Sequence, residues 1–235
     1  MAQQIEGDTN ESYYLCEGIW FDKNQNKLVD KRDNNKELDI TKIDDKVLIF
    51  EREVHEWMFF PMFLLLNDDT NNKAKYMPFK NAIFLLYGIF SYLEKIQRYR
   101  TGEPYQSNDT NATSLLCKSF QNIFQDENSN NYGMAKISKI LEVTRHSLMH
   151  FCSIGDRVLL NQDYENSNAI KYIGSNNRID KIEINPKKML CTIWDDFDKY
   201  LKCVKDTQNK TEQDNFEKVF DVIYKDEIEQ LTQGI

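Results

Sequence analysis

The sequence predicts an all-α protein, a helical bundle with one small β-hairpin inserted before the penultimate helix. Three observations carry that prediction. Only 8 Gly and 4 Pro punctuate 235 residues, too few for a turn-rich sandwich or barrel. Beyond residue 40, apolar residues recur at three- and four-residue steps through most of the chain. One stretch alone, between Arg157 and Asn185, breaks into short β-prone pieces. With 40% hydrophobic and 29% charged residues, the chain has the composition of a folded domain, not a disordered one. The expected organisation is an N-terminal extension, residues 1–40, packing on one helical domain, residues 41–235.

In the extension, the short apolar patches Tyr13-Tyr14-Leu15 and Ile19-Trp20-Phe21 alternate with Asn, Asp and Lys runs that hold no helical period. Thr41 is then a candidate cap, with Asp44 and Asp45 in the first turn, for a long helix that continues to Leu66 and bends near Pro61. After an Asn/Asp loop, Phe79 to Tyr99 is apolar almost all round from Ala82 to Leu93, as suits a helix at the centre of a bundle. Ser114 to Phe124 is a shorter amphipathic helix. From Met134 to Cys152, the residues Met134, Ile137, Ile140, Leu141, Thr144, Leu148 and Phe151 form one buried stripe.

The helical period stops at Gly155. Ala169 to Ile173 and Arg178 to Ile184 are then expected to pair as a hairpin around Gly174-Ser175-Asn176-Asn177. Pro186 opens the next helix at a favoured first-turn position, with Leu190, Ile193, Trp194, Phe197, Tyr200, Leu201 and Val204 on its apolar face. The last helix, Thr211 to Leu231, turns Phe216, Val219, Phe220, Ile223 and Leu231 inward.

Charge narrows the function. Against 30 Lys+Arg stand 38 Asp+Glu, a net −8, which excludes a coat for long duplex DNA and leaves only local nucleic-acid contact. The five cysteines Cys16, Cys117, Cys152, Cys191 and Cys203 are odd in number and form no C-x-x-C pair, as expected of reduced thiols in a cytosol. The polar N-terminus lacks a secretory pattern, and the most apolar run, Trp57 to Leu66, is far shorter than a membrane span. The expectation is a soluble, cytoplasmic protein with no membrane partner.

Two of the three histidines fall within five residues, in Arg145-His146-Ser147-Leu148-Met149-His150. At about 100° per residue, an α-helix places His146 and His150 roughly 40° apart, on the stripe of Glu142 and Lys139 and opposite the buried one. Arg145 falls on the flank, where a partly desolvated guanidinium meets phosphate bidentately. Imidazole accepts or donates a proton near neutral pH, and a neighbouring carboxylate raises its pKa. These groups suffice for phosphodiester cleavage without metal.

Plainer readings compete. Polar residues on an outer helix face are usually only solvated, and an Arg-to-His spacing of this kind occurs by chance in roughly one such chain in four. His146 and His150 at i, i+4 could share a zinc ion, but Ser147 stands where the metalloprotease signature has Glu, so neither a metal nor another cofactor is expected. His55 belongs to a charged or packed face. Asp68-Asp69 and Asp195-Asp196 read as a loop pair and a helix-start pair. Lys73, Lys75, Lys80, Lys95, Arg98 and Arg100, with Tyr76 and Tyr99, form a basic stretch that could line an RNA groove.

Context favours the chemical reading, because Arg145 is followed directly by a polar His146 and His150 lies late in a helix. The six residues resemble the signature of the HEPN superfamily (higher eukaryotes and prokaryotes nucleotide-binding), an Arg followed after four to six residues by His. That family's helical bundle, with the motif late in a helix, a short insert and a closing helix, also resembles the pattern from Phe79 to Lys205. The resemblance implies a metal-independent endoribonuclease acting on RNA as a homodimer. It implies Arg145 on the scissile phosphate, His150 as general base or acid, and His146 in support. Toxin or defence roles, with an antitoxin or a nucleotidyltransferase as partner, follow from the same resemblance. So does the alternative, a catalytically silent module that binds nucleotides or another protein.

Overall fold

A computed structural model of the chain describes residues 12–67, 77–105, 112–124, 134–146, 156–161, 168–175, 178–225 and 228. The all-α expectation is corrected: a four-stranded antiparallel sheet and a three-stranded sheet accompany the helices, and the fold is mixed α and β. The chain divides into two compact units. Met1–Met58, Arg98–Tyr105 and Tyr200–Ile235 make the first, Phe59–Gln97 and Gln106–Lys199 the second.

In the first unit, β1 (Ser12–Cys16), β2 (Ile19–Asp22), β3 (Lys27–Asp30) and β4 (Lys36–Leu38) follow one another as an antiparallel meander. Phe21 pairs with Leu28 and Leu28 with Leu38, and all three are buried on one face. The turns explain why a count of Gly and Pro missed this sheet. Asn26, Asn34 and Asn35 adopt φ of 51°, 50° and 57°, the left-handed conformation that asparagine tolerates, while glycine supplies it only between β1 and β2, at Gly18.

α1 (Ile43–Val54) starts after Lys42, and the expected cap Thr41 instead donates from its amide and hydroxyl to Asp39, at 2.9 and 2.6 Å. Phe50 of α1 meets Tyr99 of α3 (Met77–Thr101) at 4.2 Å and Phe216 of α7 (Lys210–Phe220) at 5.5 Å between ring centroids. The aromatic column continues through Phe220 to Tyr224, stacked at 4.4 Å. A buried ion pair ties sheet to helix: Asp30, 1% exposed, accepts two hydrogen bonds from Arg52, both 2.6 Å, and one from the Arg32 amide at 2.9 Å. Burial alone would push the Asp30 carboxyl up, but the Arg52 hydrogen bonds and the Arg32 amide outweigh it and hold the group below its ordinary value.

A π-turn, His55–Phe59, spans the change from the first unit to the second, where α2 (Phe60–Asn67) follows in sequence. Pro61 lacks an N–H and its ring crowds the carbonyl four residues back, so the backbone widens just ahead of it, in the π-turn. α2 lies along α3, where the Asn81 amide donates to the Leu65 carbonyl at 2.9 Å. A Cβ on Gly88 would come within 2.5 Å of Met62 Sδ, so glycine permits that close approach.

Tyr92 of α3 packs with Phe59 and with Phe197 of α6 (Pro186–Lys205), and its hydroxyl donates to Asp196 at 3.2 Å. α6 is capped by Asn185, whose Oδ1 accepts the Lys188 amide at 2.9 Å, with Pro186 in the first helical position. α4 (Ala112–Phe124) packs against α5 (Met134–Leu141), burying Leu116, Phe120, Ile137 and Ile140. β6 (Ile170–Ser175) and β7 (Arg178–Ile184) form the hairpin, paired as far as Ser175 with Arg178, and β5 (Val158–Leu160) adds to β7 in parallel. Among the described residues no helix is long and apolar enough to cross a membrane.

Candidate functional site

Of the helix expected from Met134 to Cys152, Met134–Leu141 is α-helical and Glu142–His146 forms a π-turn, while residues 147–152, with Leu148 and Phe151 of the expected stripe, lie outside the described residues. Within the expected buried stripe, Ile137, Ile140, Leu141 and Thr144 are buried, whereas Met134 is exposed. Thr144 Oγ1 donates to the Ile140 carbonyl at 2.8 Å, and the outward Lys139 and Glu142 pair with each other at 2.9 Å.

Arg145 lies in this turn. Its Nη2 is 3.6 Å from Glu94 Oε2 on α3, and the two side chains are 31% and 23% exposed. The separation exceeds the ~2.7–2.9 Å of a charge-assisted hydrogen bond. A guanidinium has five N–H donors in a flat fork, so one carboxylate at this range leaves it chemically open to a second anion. The backbone of His146 closes the π-turn; its side chain, and the whole of His150, lie outside the described residues.

Glu94 is the group that sequence reasoning missed. Residues 81–93 contain no ionisable acid or base apart from two tyrosines, and Glu94 is the first carboxylate after that apolar run. A charge at the edge of a helix so apolar needs a partner, and that was the available clue.

The other candidates disperse. Arg98 and Tyr99 are buried, Arg98 lies 5.4 Å from the Tyr105 ring and Arg100 5.5 Å from the Tyr200 ring, so these arginines pack on the protein's own aromatics instead of lining an RNA groove. Lys73, Lys75 and Tyr76 lie outside the described residues, as does the side chain of Lys80. Asp195 and Asp196 sit three turns into α6 and not at its start, with Asp196 accepting the Tyr92 hydroxyl. Among the described residues no group of three or more His, Cys, Asp or Glu side chains could hold a metal ion. No protein-family model matches the chain, and no curated protein or solved structure matches it.

Proposed function

We propose that this protein is a metal-independent endoribonuclease of the HEPN type that acts on RNA as a homodimer, in a toxin or defence setting. The observation that carries the reading is the guanidinium of Arg145, a third exposed and held by one carboxylate at 3.6 Å, in the turn that leads through His146 toward His150. In the proposed reaction, Arg145 binds the scissile phosphate and stabilises the charge that develops on it. His150 removes the proton from the ribose 2′-hydroxyl, that oxygen attacks phosphorus, the bond to the 5′-oxygen breaks as that oxygen takes a proton from water, and His150 then releases its own proton to solvent. The products are a 2′,3′-cyclic phosphate and a 5′-hydroxyl. His146 supports the two. A dimer supplies two copies of the motif to one phosphate.

The test is cleavage of RNA in EDTA by the wild type, by Arg145→Ala, by His150→Ala and by His146→Ala. The first two variants should lose activity and the third should lose less, with melting temperatures unchanged. A 2′-deoxyribose at the cleavage position should block cutting there alone. Activity that needs Mg²⁺, or full activity in Arg145→Ala and His150→Ala, would end this reading.

The Glu94 contact favours a second reading, a silent module that binds a nucleotide or another protein, because an arginine already paired within its own chain is less free for catalysis. RNA binding without cleavage, abolished by Arg145→Ala, would select it.

A further inference from the structure

β5, β7 and β6 pair in that order, and their register sorts the side chains onto two faces. Ile170, Ile182 and Ile184 are buried on one face, where Tyr172 meets Lys136 of α5, with Nζ 3.8 Å from the ring centroid. The other face is exposed and cationic. Lys171 and Leu159 flank Glu183 across the three strands, and in the next row Lys181 stands opposite Ile173. Arg157 precedes Leu159 by two residues and so shares its side, and the Arg157 carbonyl extends the ladder by accepting the Ile182 amide at 2.8 Å. Arg157, Lys171 and Lys181 are exposed, as are Leu159 at 41% and Ile173 at 39%. Against these three cations the face holds one carboxylate, Glu183, which pairs with Lys171 at 3.5 Å.

We propose that this face is a second contact for single-stranded RNA, in which Arg157, Lys171 and Lys181 hold phosphates of the strand away from the cleavage position. The inference rests on the RNA reading above and adds where the strand is held. Contacts of this kind fix the position of a strand without reading its sequence.

Charge selects the occupant. A chain of net −8 repels a polyanion except where its own sign reverses, and it reverses here. Residues 134–188 carry nine Lys and Arg against six Asp and Glu, a net +3, while the rest of the chain totals −11. The same face of a second copy would bring like charges together and be repelled. The two aliphatic side chains select a single strand. Leu159 and Ile173 lie among the cations, where an unstacked base covers them; in an A-form duplex the base faces are stacked away from such a surface.

The test is fluorescence anisotropy of a labelled 2′-O-methyl RNA of about 20 nucleotides, long enough to span several phosphate contacts, against the full chain across a salt series. Replacing Arg157, Lys171 and Lys181 together with Gln should weaken binding at least about 10-fold. The same variant should lower the slope of log affinity against log salt by about 2, three phosphate contacts at about 0.7 each. Glu183→Gln should act in the opposite direction and tighten binding by up to about fivefold, because it frees Lys171. Gln at Lys199, Lys202 and Lys218, exposed positions with the same total change of charge, should alter affinity by less than about threefold. Equal losses in the two triple variants, or unaltered RNA affinity in the first, would overturn the proposal. So would labelled poly-glutamate that binds the wild type more tightly than the RNA does and is lost in the first variant, which would assign the face to an acidic protein. The substituted cations are exposed, so far-UV circular dichroism should match the wild type; if the triple variant does not fold, Lys181→Gln alone decides, with a slope lower by about 0.7. Cleavage on the same samples reads the catalytic proposal separately: a wild type that binds RNA through these three cations yet cuts none would end that reading and leave this one.

Discussion

Replacing Glu94 with Gln tests the arrangement around Arg145 more sharply than replacing Arg145, because it removes one competing charge and keeps the shape. The 3.6 Å separation and the 31% and 23% exposures place the pair among solvent-screened ion pairs, which measure about 0.2–1 kcal/mol. A phosphate that takes over Arg145 must give up that amount. Glu94→Gln should therefore bind RNA more tightly, by up to about fivefold. Arg145→Ala should lose charge-assisted bonds to phosphate, about 1.5–3 kcal/mol, a fall in affinity of roughly 10- to 150-fold. Losing one phosphate contact on a single strand also lowers the slope of log affinity against log salt by about 0.7. Fluorescence anisotropy with a labelled 2′-O-methyl oligoribonucleotide, which cannot be cut by this route, reads both effects across a salt series. Weaker binding by Glu94→Gln would show that the carboxylate positions Arg145 instead of competing for it. Unchanged affinity and slope in Arg145→Ala would refute the assignment of Arg145 to phosphate.

Three further outcomes concern the first unit. Asp30→Ala strands Arg52, whose side chain is only 17% exposed, and should cost about 3–5 kcal/mol, or roughly 6–20 °C in Tm by calorimetry; a shift under about 2 °C would contradict the buried-pair account. Asp30 has a lowered pKa when folded, so its stabilisation is complete above the unfolded carboxyl value near pH 4 and is lost as pH falls through the lower folded value. Asp30→Asn should accordingly flatten the acid limb of Tm against pH below about 4, and an unaltered limb would mean that another carboxylate governs it. Gly102 has φ of 64° and lies under Asn215, whose amide donates to the Arg100 carbonyl at 2.8 Å, so Gly102→Ala should destabilise the protein by about 1–2 kcal/mol in urea melts. A neutral result there would show that Asn215 moves aside and that the backbone relaxes.

Elements with long apolar periods were legible in the sequence, and elements made by short-range polar contacts were not. α3 and α6 lie within a few residues of their expected limits because a dozen or more residues repeat the same face. The Pro186 start and the 170–184 hairpin carry recognisable local chemistry. The β1 to β4 meander does not: its strands run three to five residues, too short for a period of two to stand out, and Asn26, Asn34 and Asn35 make turns that a Gly and Pro count cannot reveal. The α1 cap failed for a similar reason, since Asp39 competes for Thr41 and no sequence window weighs that contest. At the candidate site, the sequence identified Arg145 as a cation poised on a helix flank. It did not identify Glu94, because the partner comes from another helix, 51 residues earlier in the chain.

The π-turns carry the remaining difference, and they bear on the site directly. Each falls in a stretch whose sequence was read as a helix with a uniform 100° step. At Asp221–Lys225, Ile223 is exposed and Tyr224 is buried on Phe220 at 4.4 Å, so the wider turn is matched by a packing gain. At His55–Phe59 the cause is local, because Pro61 removes an amide and crowds the preceding turn. The turn at Glu142–His146 contains neither Pro nor Gly. The bond from Thr144 to Ile140 favours a bend there but does not demand one. Its visible gain is the Arg145–Glu94 pair, worth about 1 kcal/mol at most. Widened turns of this kind are frequent at functional sites. The same widening voids the angle on which the histidine stripe was drawn, since Arg145 and His146 lie inside the π-turn and His150 beyond it. Sequence spacing therefore stops being a guide at the residues where the chemistry is proposed, and the relation of Arg145 to both imidazoles has to be tested by substitution and cleavage, not by helical projection.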